Sequence, residues 1–215
     1  MRDWIERLFE DPDMLRIGHC QDAERLDLGM GWLYYGWARL IRPRRVVVIG
    51  SYRGFVPLVL GKALHDNGDG GDVWFIDPSL VDDFWKGDVA AHFARFGVTN
   101  VRHFLQTTQE FTASDANREM GAIGIAFIDG YHTAEQAQID FEALAPHVPS
   151  SGLVLLHDSI EVGTVNIYGP DRRYERTVRH FVDRLRGNAE WQILDLPYAK
   201  GLTVARRNAS GTTAP

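Results

Sequence analysis

Cysteine is almost missing from this chain: Cys20 stands alone among 215 residues. One thiol can form neither an internal disulfide nor a thiolate metal cage, which excludes a disulfide-stapled scaffold, a zinc ribbon and a thioredoxin-type motif. Lysine is nearly as scarce, because Lys62, Lys86 and Lys200 are the only ones among 23 basic residues. The 29 acidic residues leave a net charge of −6, which argues against a nucleic-acid backbone as the main partner. Long uncharged apolar runs are absent too, and Asp3, Glu6 and Arg7 interrupt the first turns. Neither a signal peptide nor a membrane span fits that pattern, so the expectation is a cytoplasmic protein with no membrane partner. What the chain does have is 45% hydrophobic and 24% charged residues, ordinary globular values that exclude disordered and fibrous classes. Its length suits a single domain with additions.

From about residue 45, short apolar runs alternate with amphipathic stretches. Strands are predicted at Arg45–Ile49, Val73–Ile76, Val101–Leu105, Gly124–Ile128 and Leu153–Leu156. Each is unalternated, as strands buried on both faces must be. Helical spacing falls at Gly54–His65, Phe84–Phe96, Thr108–Arg118, Thr133–Leu144 and Arg173–Leu185. The fold class that follows is α/β, a doubly wound and mostly parallel sheet. Trp191–Leu196 and Leu202–Ala205, joined by a Pro- and Gly-bearing loop, predict a C-terminal antiparallel hairpin. Asp3–Phe9 and Met30–Ile41 read as helices, with Pro43 ending the second, so residues 1–44 form an N-terminal helical cap. The main domain spans 45–205, and the small polar residues 206–215 are expected to be a loose tail.

In such sheets ligands sit beyond the carboxyl ends of the strands. Gly50-Ser51-Tyr52-Arg53-Gly54 follows the first strand, and its glycines permit a sharp turn into a helix whose free N–H groups attract an anion. A dinucleotide fingerprint would need glycines where Tyr52 and Phe55 stand, and Gly61-Lys62-Ala63 lacks the other parts of a P-loop. Asp77 ends the second strand, where a carboxylate can accept hydrogen bonds from two vicinal ribose hydroxyls; capping the turn at Pro78 is its plainer use. Asp129 and Asp158 end the fourth and fifth strands, which are neighbours in a doubly wound sheet. Adjacent carboxylates repel unless protons or a cation intervene, and oxygen ligands favour Mg²⁺, Ca²⁺ or Mn²⁺. His132 lies three residues past Asp129, within reach of the same crevice, as a candidate general base. Helix and turn capping by the aspartates, with His132 and His157 merely solvated, is the structural alternative.

VVVIGSYRG, FIDPS and FIDGYHTAEQAQIDFEALAPHVPSSGLVLLHDS together resemble the class I S-adenosylmethionine-dependent methyltransferases, a Rossmann-like fold. Within these the chain is similar to the metal-dependent O-methyltransferase branch that acts on catechols and macrolide sugars. The resemblance covers residues 45 to 205. It implies that Gly50, Ser51 and Gly54 cradle the methionine end of S-adenosylmethionine, that Asp77 holds the ribose, and that Asp129 contacts the cofactor. It also implies that Asp129 and Asp158 ligate Mg²⁺ or Mn²⁺, and that His132 is the base. Two positions depart from the pattern: Val48 stands where the family often has an acid, and His157 where some members place a further acidic ligand. The third metal ligand is therefore missing or is His157 itself. The expected partner is a small hydroxylated acceptor such as a sugar, polyketide or phenol, and the expected assembly a homo-oligomer. Acceptor contacts are assigned to the N-terminal helices and to residues 161–174, with Arg172-Arg173 available to an anionic acceptor or simply solvated. The rival readings are a nucleotide-dependent oxidoreductase and a noncatalytic binding module on the same fold.

Overall fold

The computed structural model describes residues 1–15 and 18–209. Two helices, α1 (Arg2–Phe9) and α2 (Gly31–Ile41), precede the sheet, and α2 stops at left-handed Arg42 just before Pro43. The chain then runs through β1 (Arg45–Ile49), α3 (Phe55–Asn67), β2 (Asp72–Ile76), α4 (Val89–Ala94), β3 (Val101–Phe104), α5 (Thr108–Thr112) and α6 (Asp115–Glu119). It continues through β4 (Ile125–Ile128), α7 (Ala134–Leu144), β5 (Leu153–His157), β6 (Gly163–Val165), β7 (Tyr174–Arg176), α8 (Val178–Arg186), β8 (Trp191–Leu196) and β9 (Leu202–Arg207).

Seven strands form one sheet in the order β3-β2-β1-β4-β5-β9-β8, parallel except at β9, which runs antiparallel to both β5 and β8. Alternation along each strand divides the core into two layers. Val46, Val48, Phe75, Phe127 and Leu155 face α1, α2 and α3, whereas Val47, Ile49, Ile76, Ile128 and Leu156 face α7 and α8. Both faces are covered, which is why these strands read as continuous apolar runs. Helix α3 is apolar nearly all round because it is buried between the sheet and α2.

Three helix predictions change in detail. Thr108–Arg118 is two helices, since Ser114 accepts from the Asn117 N–H and starts α6 afresh. Phe84–Phe96 begins as a single 3₁₀ turn, and α4 starts only after Asp88 caps it through the Ala91 N–H. Arg173–Leu185 opens as strand β7, which pairs with β6 as a separate small ribbon before α8 begins. Arg206 and Arg207 belong to β9 rather than to a tail, and residues 210–215 lie outside the described residues.

The strand order reverses between β1 and β4. A crevice must open there at the carboxyl ends, because the connections leave in opposite directions.

Candidate active site

A cavity of about 530 Å³ fills this crevice and draws its lining from the ends of β1, β2, β4 and β5. Gly50 makes the turn out of β1 at φ +68°, and its N–H donates to the Ile76 carbonyl at 2.9 Å. A Cβ there would stand 2.4 Å from the Asp129 carbonyl oxygen, so only glycine lets β1 and β4 release their chains side by side. Ser51 lines the cavity and accepts the Val56 N–H at the start of α3. Gly54, at φ +86°, does not line it; it sits behind the turn, where a Cβ would meet Trp85 at 2.9 Å. Arg53 ties the turn down by pairing with Asp82 at 2.7 Å and Asp13 at 3.3 Å.

Asp77 lies at the tip of β2, and its Oδ1 accepts the Ser79 N–H at 2.7 Å. Burial pushes its carboxyl up to about 6, against the opposing pull of N–H groups from Ser79 and Ser51. His103 fixes the backbone at this point, with its Nε2 3.0 Å from the Asp77 carbonyl oxygen.

At the far end four groups surround Asp129. His157 Nδ1 stands 2.9 Å from Asp129 Oδ1, His132 Nε2 stands 3.8 Å from the same oxygen, and His19 Nε2 stands 3.9 Å from Oδ2. Asp158 completes the cluster, its Oδ1 3.5 Å from His157 Nδ1. His157 Nδ1 and Asp129 Oδ1 form a short ion pair, while the buried His157 Nε2 has no hydrogen-bond partner. Burial disfavours the charged form of His157, but Asp129 and Asp158 outweigh it and raise its pKa. The His132 pKa falls because burial outweighs the pull of the same carboxylates, and that of His19 falls well below the ordinary value through burial and its histidine neighbours. The cluster thus holds one imidazole biased toward the cation and two biased toward neutrality.

The residues do not fit a divalent cation. Asp158 Oδ2 is 3.2 Å from Arg176 Nη1 and 3.9 Å from Lys200 Nζ, so fixed positive charge already surrounds one of the two expected ligands. His157 occupies the approach to the other. Among the described residues no group of three or more His, Cys, Asp or Glu side chains is arranged to hold a metal ion. In this structure Asp129, Asp158 and His157, the expected Mg²⁺ or Mn²⁺ ligands, contact one another, and Asp158 pairs with Arg176.

Over the mouth runs the β6–β7 ribbon with its connecting loop. Tyr131 stacks on Tyr174 at 3.9 Å and lies 5.6 Å from Tyr168, making an aromatic wall. Arg172 is exposed and donates to the Leu80 carbonyl at 3.3 Å, linking the loop to the opposite rim. Seven of the eight sequence-predicted site residues line one cavity, Gly54 being the exception. Sequence reasoning missed His19, Asp140, Arg176 and Lys200. Asp140 lies on α7, accepts from Thr108 and Gln136, and is pushed up to about 6 by burial. A carboxylate buried on the apolar face of a helix was a readable signal; His19, in an irregular connection, had none.

Comparison with known proteins adds one family match, three solved structures and one curated relative. A family model described as a methyltransferase domain matches residues 47–159. The chain is similar to a solved protein of Corynebacterium glutamicum, with 19% identity and a TM-score of 0.66, covering 98% of this chain and 92% of that one. It is also similar to the O-methyltransferase TomG of Streptomyces achromogenes, involved in tomaymycin synthesis and solved with SAM, with 18% identity, a TM-score of 0.62 and coverage of 97% and 88%. A methyltransferase of Podospora anserina, solved with SAH, gives 16% identity and a TM-score of 0.63, covering 97% of this chain and 86% of that one. At these identities the structures establish the fold. A curated but uncharacterised Sinorhizobium fredii protein is 26% identical over 142 residues, spanning 60% of this chain and only 15% of that much longer protein.

Proposed function

Since the chain belongs to the methyltransferase-domain family, we propose that it transfers a methyl group from S-adenosylmethionine to a hydroxyl of a small molecule. One observation carries this reading: the Gly50 turn, Asp77, Asp129 and His132 line a single cavity at the carboxyl ends of adjacent strands. The residues fit such a donor. Gly50 brings the β1 turn against Asp129 with no side chain between them, and α3 points its N-terminus at the turn. Of the first α3 residues Pro57 has no N–H and Val56 donates to Ser51 Oγ, so it is the Gly50-Ser51 backbone lining the cavity that would meet the donor. Asp77 offers two oxygens to vicinal hydroxyls.

When bound, the donor supplies an electrophilic methyl on a sulfonium whose leaving group is a neutral thioether, so the leaving side needs no acid. The work falls on the acceptor, a poor nucleophile until its proton is removed. His132 has the attributes of that base: it lines the cavity, its side chain is 16% exposed, and its lowered pKa leaves it neutral at pH 7. Its backbone N–H donates to the Tyr174 hydroxyl, which couples the base to the aromatic wall. That wall, with Leu80 and Ile167 beside it, supports an acceptor with an apolar face, such as a sugar, polyketide or phenol.

The test is to incubate the full chain with methyl-labelled S-adenosylmethionine and a panel of hydroxylated sugars, polyketides and phenols, then identify the products by mass spectrometry. An O-methylated product formed in step with S-adenosylhomocysteine is the expected result. Methylation at carbon or nitrogen only, or no donor binding at all, would overturn the reading.

A further inference from the structure

We infer that Lys200 supplies the positive charge that meets the acceptor oxygen during transfer, in a cavity that works without a divalent cation. This rests on the methyl-transfer reading above and goes beyond it by naming the group that stabilises the nascent oxyanion.

Two cations converge on Asp158 Oδ2, and only one of them lines the cavity. Arg176 comes from behind: it is 3% exposed, does not line the cavity, is held by its Nε donating to the Glu161 carbonyl, and reaches Asp158 Oδ2 at 3.2 Å. That buried pair already compensates the carboxylate. Lys200 comes from the cavity side with its side chain 53% exposed, and its Nζ is 3.9 Å from the same oxygen, beyond hydrogen-bond distance. The other two lysines sit on their carboxylates, Lys62 at 2.5 Å from Asp66 and Lys86 at 2.7 Å from Asp83. Among the described residues, Lys200 is thus the lysine that keeps its N–H donors free, and it keeps them facing the site.

Its backbone is held in place. Ile160 and Glu161 both donate to the Lys200 carbonyl at 3.1 Å, and the flanking Ala199 and Gly201 adopt φ +51° and +101°. A Cβ at Gly201 would lie 2.3 Å from the Ile160 side chain, so the β8–β9 turn is locked against the segment following β5. A compact ammonium with three donors on a flexible stem suits an oxygen whose charge changes during reaction.

The step balances without further reagents. The acceptor O–H proton passes to His132 Nε2. An oxygen lone pair forms the new O–C bond as the C–S bond breaks, and that electron pair stays on sulfur. Lys200 donates a hydrogen bond to the developing negative charge and keeps its proton throughout.

The experiment compares the full chain with Lys200→Met and Lys200→Arg. It measures kcat and acceptor KM with and without EDTA, donor affinity by calorimetry, and Mn²⁺ binding by electron paramagnetic resonance. Lys200 is half-exposed, so both variants are expected to fold. Removing one preorganised donor to an oxyanion typically costs about 10²-fold in kcat. Lys200→Met should show that loss with donor affinity unchanged, Lys200→Arg should recover part of it, EDTA should change nothing, and Mn²⁺ should show no saturable site. Full kcat in Lys200→Met, or a saturable Mn²⁺ site that restores EDTA-treated activity and disappears in Asp158→Asn, would overturn the inference. Failure of the wild-type chain to bind the donor would strike at the methyl-transfer reading itself, so the two failures are distinguishable.

Discussion

Asp77→Asn should make the ligand-free protein more stable and a poorer binder at once. Burial raises the Asp77 carboxyl from 3.8 to about 6. A shift of about two units corresponds to roughly 3 kcal/mol, and partial solvent access at the cavity wall reduces this to about 2 kcal/mol. The native pKa is the higher one, so between pH 3.8 and about 6 the native state holds a proton that the unfolded chain has released. Stability therefore falls as pH rises through that window and stays lowered above it. Asparagine removes the charge yet still accepts the Ser79 N–H. Near pH 4 the variant and the wild type should melt alike. Above pH 7 the variant should melt about 4–8 °C higher, taking about 2–4 °C per kcal/mol for a chain of this size. Its affinity for S-adenosylhomocysteine should fall by about 1.5–3 kcal/mol, because hydrogen bonds to a charged acceptor are lost. Differential scanning calorimetry at the two pH values and isothermal titration with the thioether read both effects. A variant that melts lower than wild type above pH 7 and binds as well would refute the reasoning.

Gly50→Ala places a Cβ 2.4 Å from the Asp129 carbonyl at φ +68°, so it should destabilise the fold by about 1–3 kcal/mol and abolish donor binding. Thermal melts and titration check it, and wild-type values for both would contradict the packing argument. His132→Gln should lower turnover by about 10²–10⁴-fold while leaving donor affinity intact. The base must be neutral to act, so wild-type activity should rise with pH through a limb below the ordinary histidine value of 6.5. The variant's pH–rate profile should lack that limb.

The strands were legible because burial on both faces leaves Val46 to Ile49 and their neighbours no polar alternation, whichever layer each side chain joins. Asp77, Asp129 and Asp158 were legible for a related reason: a charged residue ending an apolar run marks the sheet edge where ligands bind. Helix breaks were not, since the apolar spacing runs on through Thr108–Arg118 and only the Ser114 hydroxyl restarts the chain. The charge balance of the site was hidden as well. Arg176, far along the chain and carried on a three-residue strand, lies buried against Asp158, a pairing that the aspartates alone do not announce. Lys200 is positioned by hydrogen bonds from Ile160 and Glu161 to its own carbonyl, a tertiary contact with no local pattern. His19 reaches Asp129 from an irregular segment before α2, where neither period nor motif points to it.

The central claim is that this cavity takes the adenosyl donor of a methyltransferase rather than a dinucleotide. Isothermal titration of the wild-type chain with S-adenosylhomocysteine and, separately, with NAD tests it most directly. Saturable one-to-one binding of the thioether, with no heat from NAD, is the expected result; saturable binding of NAD with none of the thioether would contradict the account.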